Sequence, residues 1–209
     1  MKYLFLHGLG QNAFSWKQTV SYLKKSDDIV CLNLFDLLEE KEMTYENLYD
    51  SFAKYCSSLS DPINLCGLSL GGVLALQYSM ENPLKINSLV LIGTQFVMPK
   101  RLLKLQNIVF RFMPNRLFEN MGLHKKDFIM LSKSMMDLNF SHDLQKVTCP
   151  ALILCGEHDR ANKKASVELQ NRLPNAKLQF IKNAGHEVNV ENPKELGEVI
   201  QKFYEISKD

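Results

Sequence analysis

Leu65-Cys66-Gly67-Leu68-Ser69-Leu70-Gly71-Gly72 joins an apolar, strand-like run to an apolar helical pattern through Gly-x-Ser-x-Gly. Glycines two residues before and after the serine predict a sharp, strained strand-to-helix turn, because a Cβ at position 67 or 71 would collide with neighbouring backbone. Such a turn lifts the Ser69 hydroxyl above a sheet and makes it a candidate nucleophile. The pentapeptide alone is a weak signal, since Gly and Ser are common residues. Its surroundings give it weight.

Outward from this turn, apolar runs of strand length recur at 3–6, 29–34, 63–66, 88–92, 151–155 and 178–181. Most are continuous rather than alternating, which predicts strands buried on both faces of a parallel sheet. Helical spacing fills the intervals at 15–24, 45–59, 69–80, 163–172 and 193–206. Strand and helix in alternation predict an α/β fold: a three-layer, doubly wound and mostly parallel sheet of six strands. One stretch breaks the rhythm. From Pro99 to His142 there is no convincing strand, only helical patterns around 101–112 and 126–136, interrupted at Pro114 and Gly122. The organisation expected is a core of residues 1–96 and 143–209 with a helical lid inserted at 97–142.

A chain of 209 residues with 45% hydrophobic content can bury one substantial core. A formal charge of +2 does not point to nucleic acid or an anionic membrane as the main partner. No apolar run approaches the roughly 18 residues a bilayer span requires, and no cleavage-site pattern follows Met1-Lys2. A cytoplasmic protein without stable membrane insertion is expected. Cys31, Cys56, Cys66, Cys149 and Cys155 are odd in number and form no C-x-x-C pair, which fits buried free thiols in a reducing compartment. No His, Cys and carboxylate cluster has metal-ligand spacing, so neither metal nor cofactor is expected.

Ligands of an open parallel sheet bind beyond the carboxyl ends of its strands, so residues following each strand should converge. His7-Gly8-Leu9-Gly10 follows the first run, Ser69 the third, Gly156-Glu157-His158-Asp159 the fifth and Asn183-Ala184-Gly185-His186 the last. A serine hydroxyl needs a base, for which His186 is the candidate. The imidazole needs a carboxylate to fix its tautomer, for which Asp159 is the candidate and Glu157 the alternative. The order Ser, Asp, His is the order associated with this turn motif. His7 is expected to hydrogen-bond its loop, Trp16 to pack on the first helix, and His158 to pack or face solvent.

With these four segments the chain resembles the α/β-hydrolase superfamily, in particular its small serine esterase-like members with a helical lid. His7-Gly8-Leu9-Gly10 with Trp16 resembles the oxyanion-loop segment, Gly156-Glu157-His158-Asp159 the acid segment, and Gly185-His186 with Glu191-Asn192-Pro193 the histidine segment. The resemblance implies an oxyanion hole formed by the backbone N–H groups of Leu9 and Leu70. Ser69 also opens a helix, whose positive end favours a developing oxyanion. Two departures stand out. Family members usually begin with two further strands, one antiparallel, whereas this chain starts at the oxyanion-loop strand, so six parallel strands are expected. After the second strand the chain reads Asn33-Leu34-Phe35-Asp36 in place of a Gly-rich segment, and that pocket wall cannot be carried over.

The 97–142 segment holds eight Lys or Arg against three Asp or Glu, and six of the nine methionines. A basic lid suggests an anionic substrate or a weak attraction to anionic lipid, beside the plainer alternative of a solvated helix face. Arg101, Arg111 and Arg116 are candidates for gripping a carboxylate or phosphate. Met98, Met113, Met121, Met130, Met135 and Met136 with Phe110, Phe112, Phe118 and Phe128 offer an adaptable apolar roof. The expected activity is a serine hydrolase cleaving small to medium carboxylic esters through an acyl-enzyme. The resemblance leaves open C–C bond hydrolysis or a menaquinone-biosynthesis-type lyase on an anionic substrate. A ligand-binding protein with little turnover is the alternative from another class.

Overall fold

The computed structural model describes residues 1–24, 28–119 and 124–206; the side chains at 101, 102, 106, 117 and 119 lie outside the description, as do Met121 and Gly122. Six strands, β1 (Tyr3–Leu6), β2 (Ile29–Leu32), β3 (Ile63–Leu68), β4 (Ile86–Ile92), β5 (Ala151–Gly156) and β6 (Ala176–Ile181), form one sheet in the order β2-β1-β3-β4-β5-β6. Every pairing is parallel. The order reverses between β1 and β3, where a doubly wound sheet opens its ligand crevice. The expected three-layer α/β architecture is therefore the fold.

Helices cover both faces. On one lie α1 (Lys17–Val20) and, from the far end of the chain, α8 (Val188–Glu191) and α9 (Pro193–Ile206); on the other lie α2 (Tyr45–Ser57), α3 (Leu70–Glu81) and α7 (Lys163–Arg172). The apolar strands sort their side chains by the two-residue period of the pleat. Leu4 and Leu6 of β1 join the α2/α3 core, while Tyr3 and Phe5 join the α1/α9 core. Trp16 is buried there edge-on to Phe5, the packing role expected of it.

Three expectations are corrected. The helical pattern over 15–24 yields only a 3₁₀ turn at Ala13–Trp16 and one turn of α1, because Asn12 caps the Phe14 N–H at 2.9 Å and starts a tighter helix. The run at 29–34 stops as a strand at Leu32, and Leu34–Leu38 coils into a second 3₁₀ turn; the Leu34 N–H donates to His7 Nε2 at 3.0 Å instead of continuing the ladder. β6 is largely exposed rather than buried on both faces, since it is the sheet edge and carries Lys177 and Gln179 outward.

Between β4 and β5 the chain forms α4 (Lys100–Phe112), α5 (Asn115–Glu119) and α6 (Lys125–Ser134). An antiparallel bridge between Val97 and Asn139 closes the base of this excursion. Phe110, Phe118 and Phe128 meet edge to face at 4.9–5.8 Å, a small core of its own against which Leu9, Phe35 and Met43 pack. Among the described residues no helix is long and apolar enough to cross a membrane.

Candidate active site

Ser69 sits at φ 78°, a left-handed conformation that few residues other than glycine adopt. Its N–H is tied to Ile92 O at 2.9 Å, and α3 begins at the next residue. The turn leaves no room for side chains beside it: a Cβ on Gly67 would lie 2.3 Å from the Gly71 carbonyl, and one on Gly71 2.3 Å from Leu6 O. Strain of this kind, about 1–3 kcal/mol, persists because the surrounding backbone over-determines it.

Two further loops, after β5 and β6, meet Ser69 at the same end of the parallel sheet. The segment after β5 and the segment after β6 cross so closely that a Cβ on Gly156 would lie 1.9 Å from Gly185 O. His158 N donates to Ala184 O at 2.8 Å, and the Glu157 carboxylate accepts the Asn183 N–H at 3.1 Å. Glu157 thus braces the histidine loop, with its carboxylate on the Asn183 backbone. Glu191 holds the same loop from the other side, accepting from Gly185 N at 2.7 Å and Glu187 N at 2.9 Å.

The side chains then align. Ser69 Oγ lies 3.0 Å from His186 Nε2, and His186 Nδ1 lies 2.8 Å from Asp159 Oδ2. Asp159 is buried, whereas His186 keeps an exposed edge. Burial alone would push the Asp159 carboxyl up, but hydrogen bonds from His186 and Asn162 outweigh it and hold the group below its usual value. Gly93, at φ 55°, leaves the space a side chain would take from the His186 ring, 3.1 Å from its Cβ position.

Asn162 and Gln95 escaped the sequence reading. The Asn162 amide donates to both Asp159 oxygens at 2.9 and 2.8 Å, and its own carbonyl accepts from Gln95 Nε2 at 2.7 Å. The three-residue spacing from Asp159 to Asn162 was a usable signal, because Asn side chains reach back over such turns. Gln95 carried none, since it arrives from the end of β4. His7 is buried, donates through Nδ1 to Gly8 O at 2.9 Å and accepts the Leu34 N–H at Nε2, which defines a neutral tautomer. Burial pushes its imidazole below the usual value. Its role is to pin the loop after β1 to the turn after β2.

A cavity of about 310 Å³ opens over Ser69. Leu9, Leu70, Val73, Met98, Leu103, Phe128 and Met135 give it apolar walls, with Gln95 and Asn162 at its polar end. No Lys or Arg is among its described lining residues. Arg111 and Arg116 are exposed, and Arg111 opens onto a different hollow; the Arg101 side chain lies outside the description. The structure therefore does not bring Arg111 or Arg116 to the candidate site. All five cysteines are free, and burial pushes the Cys31, Cys149 and Cys155 thiols up to about 11. These are inert packing thiols at neutral pH. Among the described residues no three His, Cys, Asp or Glu side chains converge as a metal site.

Residues 3–199 match the model of the alpha/beta hydrolase family, and the chain belongs to that family. It is 24% identical over 178 residues to a putative 2-succinyl-6-hydroxy-2,4-cyclohexadiene-1-carboxylate synthase of Bacillus subtilis, a match covering 68% of this chain and 65% of that protein. The chain thus spans just under two-thirds of that relative's length. It is 21% identical to monoacylglycerol lipase ABHD6 of Mus musculus, across 96% of this chain and 74% of the relative. A thermophilic esterase from Thermogutta terrifontis has a similar fold, with a TM-score of 0.77 and 18% identity over 100% of this chain and 91% of its own.

Proposed function

We propose that this hydrolase-family chain is a serine hydrolase of small to medium carboxylic esters. The observation that carries the reading is the run of contacts from Ser69 Oγ through His186 to buried Asp159, at 3.0 and 2.8 Å, at the floor of an apolar cavity. Ser69 Oγ adds to the ester carbonyl carbon as its proton passes to His186 Nε2, and Asp159 stabilises the resulting imidazolium. The Leu9 and Leu70 amides, with the N-terminus of α3, stabilise the oxyanion. Collapse breaks the C–O bond; the alcohol leaves with the His186 proton and the acyl group stays on Ser69. Water, deprotonated by His186, then releases the carboxylic acid and restores the serine.

In this reading residues 97–142 form a lid over a core of 1–96 and 143–209, and the protein works in the cytoplasm, where its unpaired thiols stay reduced. An apolar cavity without described cations favours a neutral ester over the anionic substrate of a lyase or C–C hydrolase. The deciding experiment is hydrolysis of a p-nitrophenyl ester series, with fluorophosphonate labelling, by wild type and Ser69→Ala. Turnover and labelling that both vanish in the variant support the acyl-enzyme. Labelling without ester turnover transfers weight to C–C or elimination chemistry. Neither signal in folded wild type overturns the hydrolase and favours a binding protein.

A further inference from the structure

Helix α4 presents opposite sides to different surroundings. Leu103 lines the Ser69 cavity and Phe110 packs on Phe118 and Phe128. Turned away from them, Leu105, Ile108, Val109 and Phe112 are exposed by 59, 53, 49 and 85%. Their spacing of i, i+3, i+4 and i+7 puts all four on one stripe. Scattered exposed apolar residues need no explanation, but four in one stripe mark an interaction face.

A basic flank accompanies the stripe. Lys100, Lys104 and Arg111 form a row along one edge of it, and Arg111 opens a hollow of about 540 Å³ shared with Asn115, His124, Lys125, Lys126 and Ile129. No Asp or Glu is among the described residues that line that hollow. Lys100 is paired with Asp137 and Lys125 donates to the Arg111 and Met113 carbonyls, whereas Lys104, Arg111 and Lys126 are exposed and make no salt bridge among the described residues.

We propose that α4 and the adjoining basic hollow are a docking face for an anionic phospholipid surface. Leu105, Ile108, Val109 and Phe112 enter the acyl boundary, and Arg111 and Lys126 meet the headgroup phosphates. Charge complementarity selects this occupant, because residues 97–142 carry five more basic than acidic side chains. A bilayer rich in anionic lipid supplies both the apolar layer and the opposite charge. A second copy of this chain would supply the apolar surface but bring another basic segment against the first. At about 20 Å, α4 lies along such a surface rather than across it. The proposal goes beyond ester hydrolysis and rests on the surface alone, so it stands or falls apart from acylation of Ser69.

The test is co-sedimentation with phosphatidylcholine vesicles and with vesicles in which about one-third of the lipid is phosphatidylserine. Wild type is expected to partition onto the anionic vesicles at least about tenfold more strongly, with the preference lost in high salt. Ile108→Ser with Phe112→Ser, and separately Arg111→Glu with Lys126→Glu, each lower partition by about tenfold or more. The melting temperature stays within a few degrees of wild type, because all four side chains are exposed. Equal partition onto both vesicle types, or binding that survives both double variants, overturns the proposal. So does a concentration-dependent dimer without vesicles that Ile108→Ser with Phe112→Ser dissolves, which would assign the stripe to self-association.

Discussion

The turn at Ser69 and the roof formed by α4–α6 face each other across one cavity and are built on opposite principles. At the turn, backbone touches backbone: the Gly67, Gly71 and Gly156 positions each lie within 2.3 Å of a main-chain atom once a Cβ is added, and no rotamer change relieves such a clash. In the roof, apart from a backbone bridge at its base, side chains hold the helices, chiefly three phenylalanines and their contacts with Leu9, Phe35 and Met43. Under the proposed function the difference separates two tasks. Reacting groups need fixed geometry, because misplacement by about an ångström can lose about a hundredfold in rate. A surface that admits varied substrates, or meets a lipid layer, has no such need and can be held by adaptable contacts.

If that division is right, substitutions at the turn and its partners should act on rate, and those in the roof on selectivity and docking. Ser69→Ala is expected to have the largest effect, a loss of about 10⁶-fold in kcat with thermal stability kept, because alanine retains the Cβ and with it the strained turn. Residual turnover within a hundredfold of wild type would break the comparison at its centre. Asp159→Asn should follow at about 10⁴-fold, since the imidazole loses the partner that fixes its tautomer. Circular dichroism checks that the fold remains. Asn162→Ala comes next, with about a tenfold loss in kcat and a smaller change in KM, because its amide holds the Asp159 carboxylate although the side chain also borders the cavity. A KM effect alone would move Asn162 to the roof's side of the division. Met135→Ala should change the preferred acyl-chain length by a few-fold while leaving fluorophosphonate labelling of Ser69 intact.

The smallest effect is a pH dependence of stability. Asn162 helps hold the buried Asp159 carboxyl below its usual value, so its stabilisation is fully present above the unfolded carboxyl pKa of about 3.9. It is lost as pH falls through the lowered native value. The stability gap between wild type and Asn162→Ala in denaturant titrations should be about 1–3 kcal/mol at neutral pH and shrink below about pH 4. A gap that stays constant on acidification would make Asn162 a packing residue.

The outcomes at individual residues show where sequence reading works. Ser69, Asp159 and His186 were legible because each follows a strand whose direction the parallel sheet fixes, so local order implied convergence. The short elements at 13–20 and 34–38 were not, because a cap from Asn12 and a bond to His7 overrode the helix and strand patterns. Arg111 and Arg116 do not reach the Ser69 cavity for a different reason. Charge on a helix says which residue types are available but not which way each faces, and Arg111 points to the basic hollow beside α4 rather than to Ser69.

By itself the sequence determined the alternation of strands and helices, the strained Gly-x-Ser-x-Gly turn and the order of the three groups that meet there. These follow from local patterning and from backbone sterics that act within a few residues. Only the tertiary structure decided that Glu157 braces a loop while Asp159 faces His186, that Gln95 and Asn162 join that pair, and that the exposed side of α4 is apolar. Each of those depends on which side chains two distant segments bring within about 3 Å, and that distance is set by packing across the sheet, not by spacing along the chain.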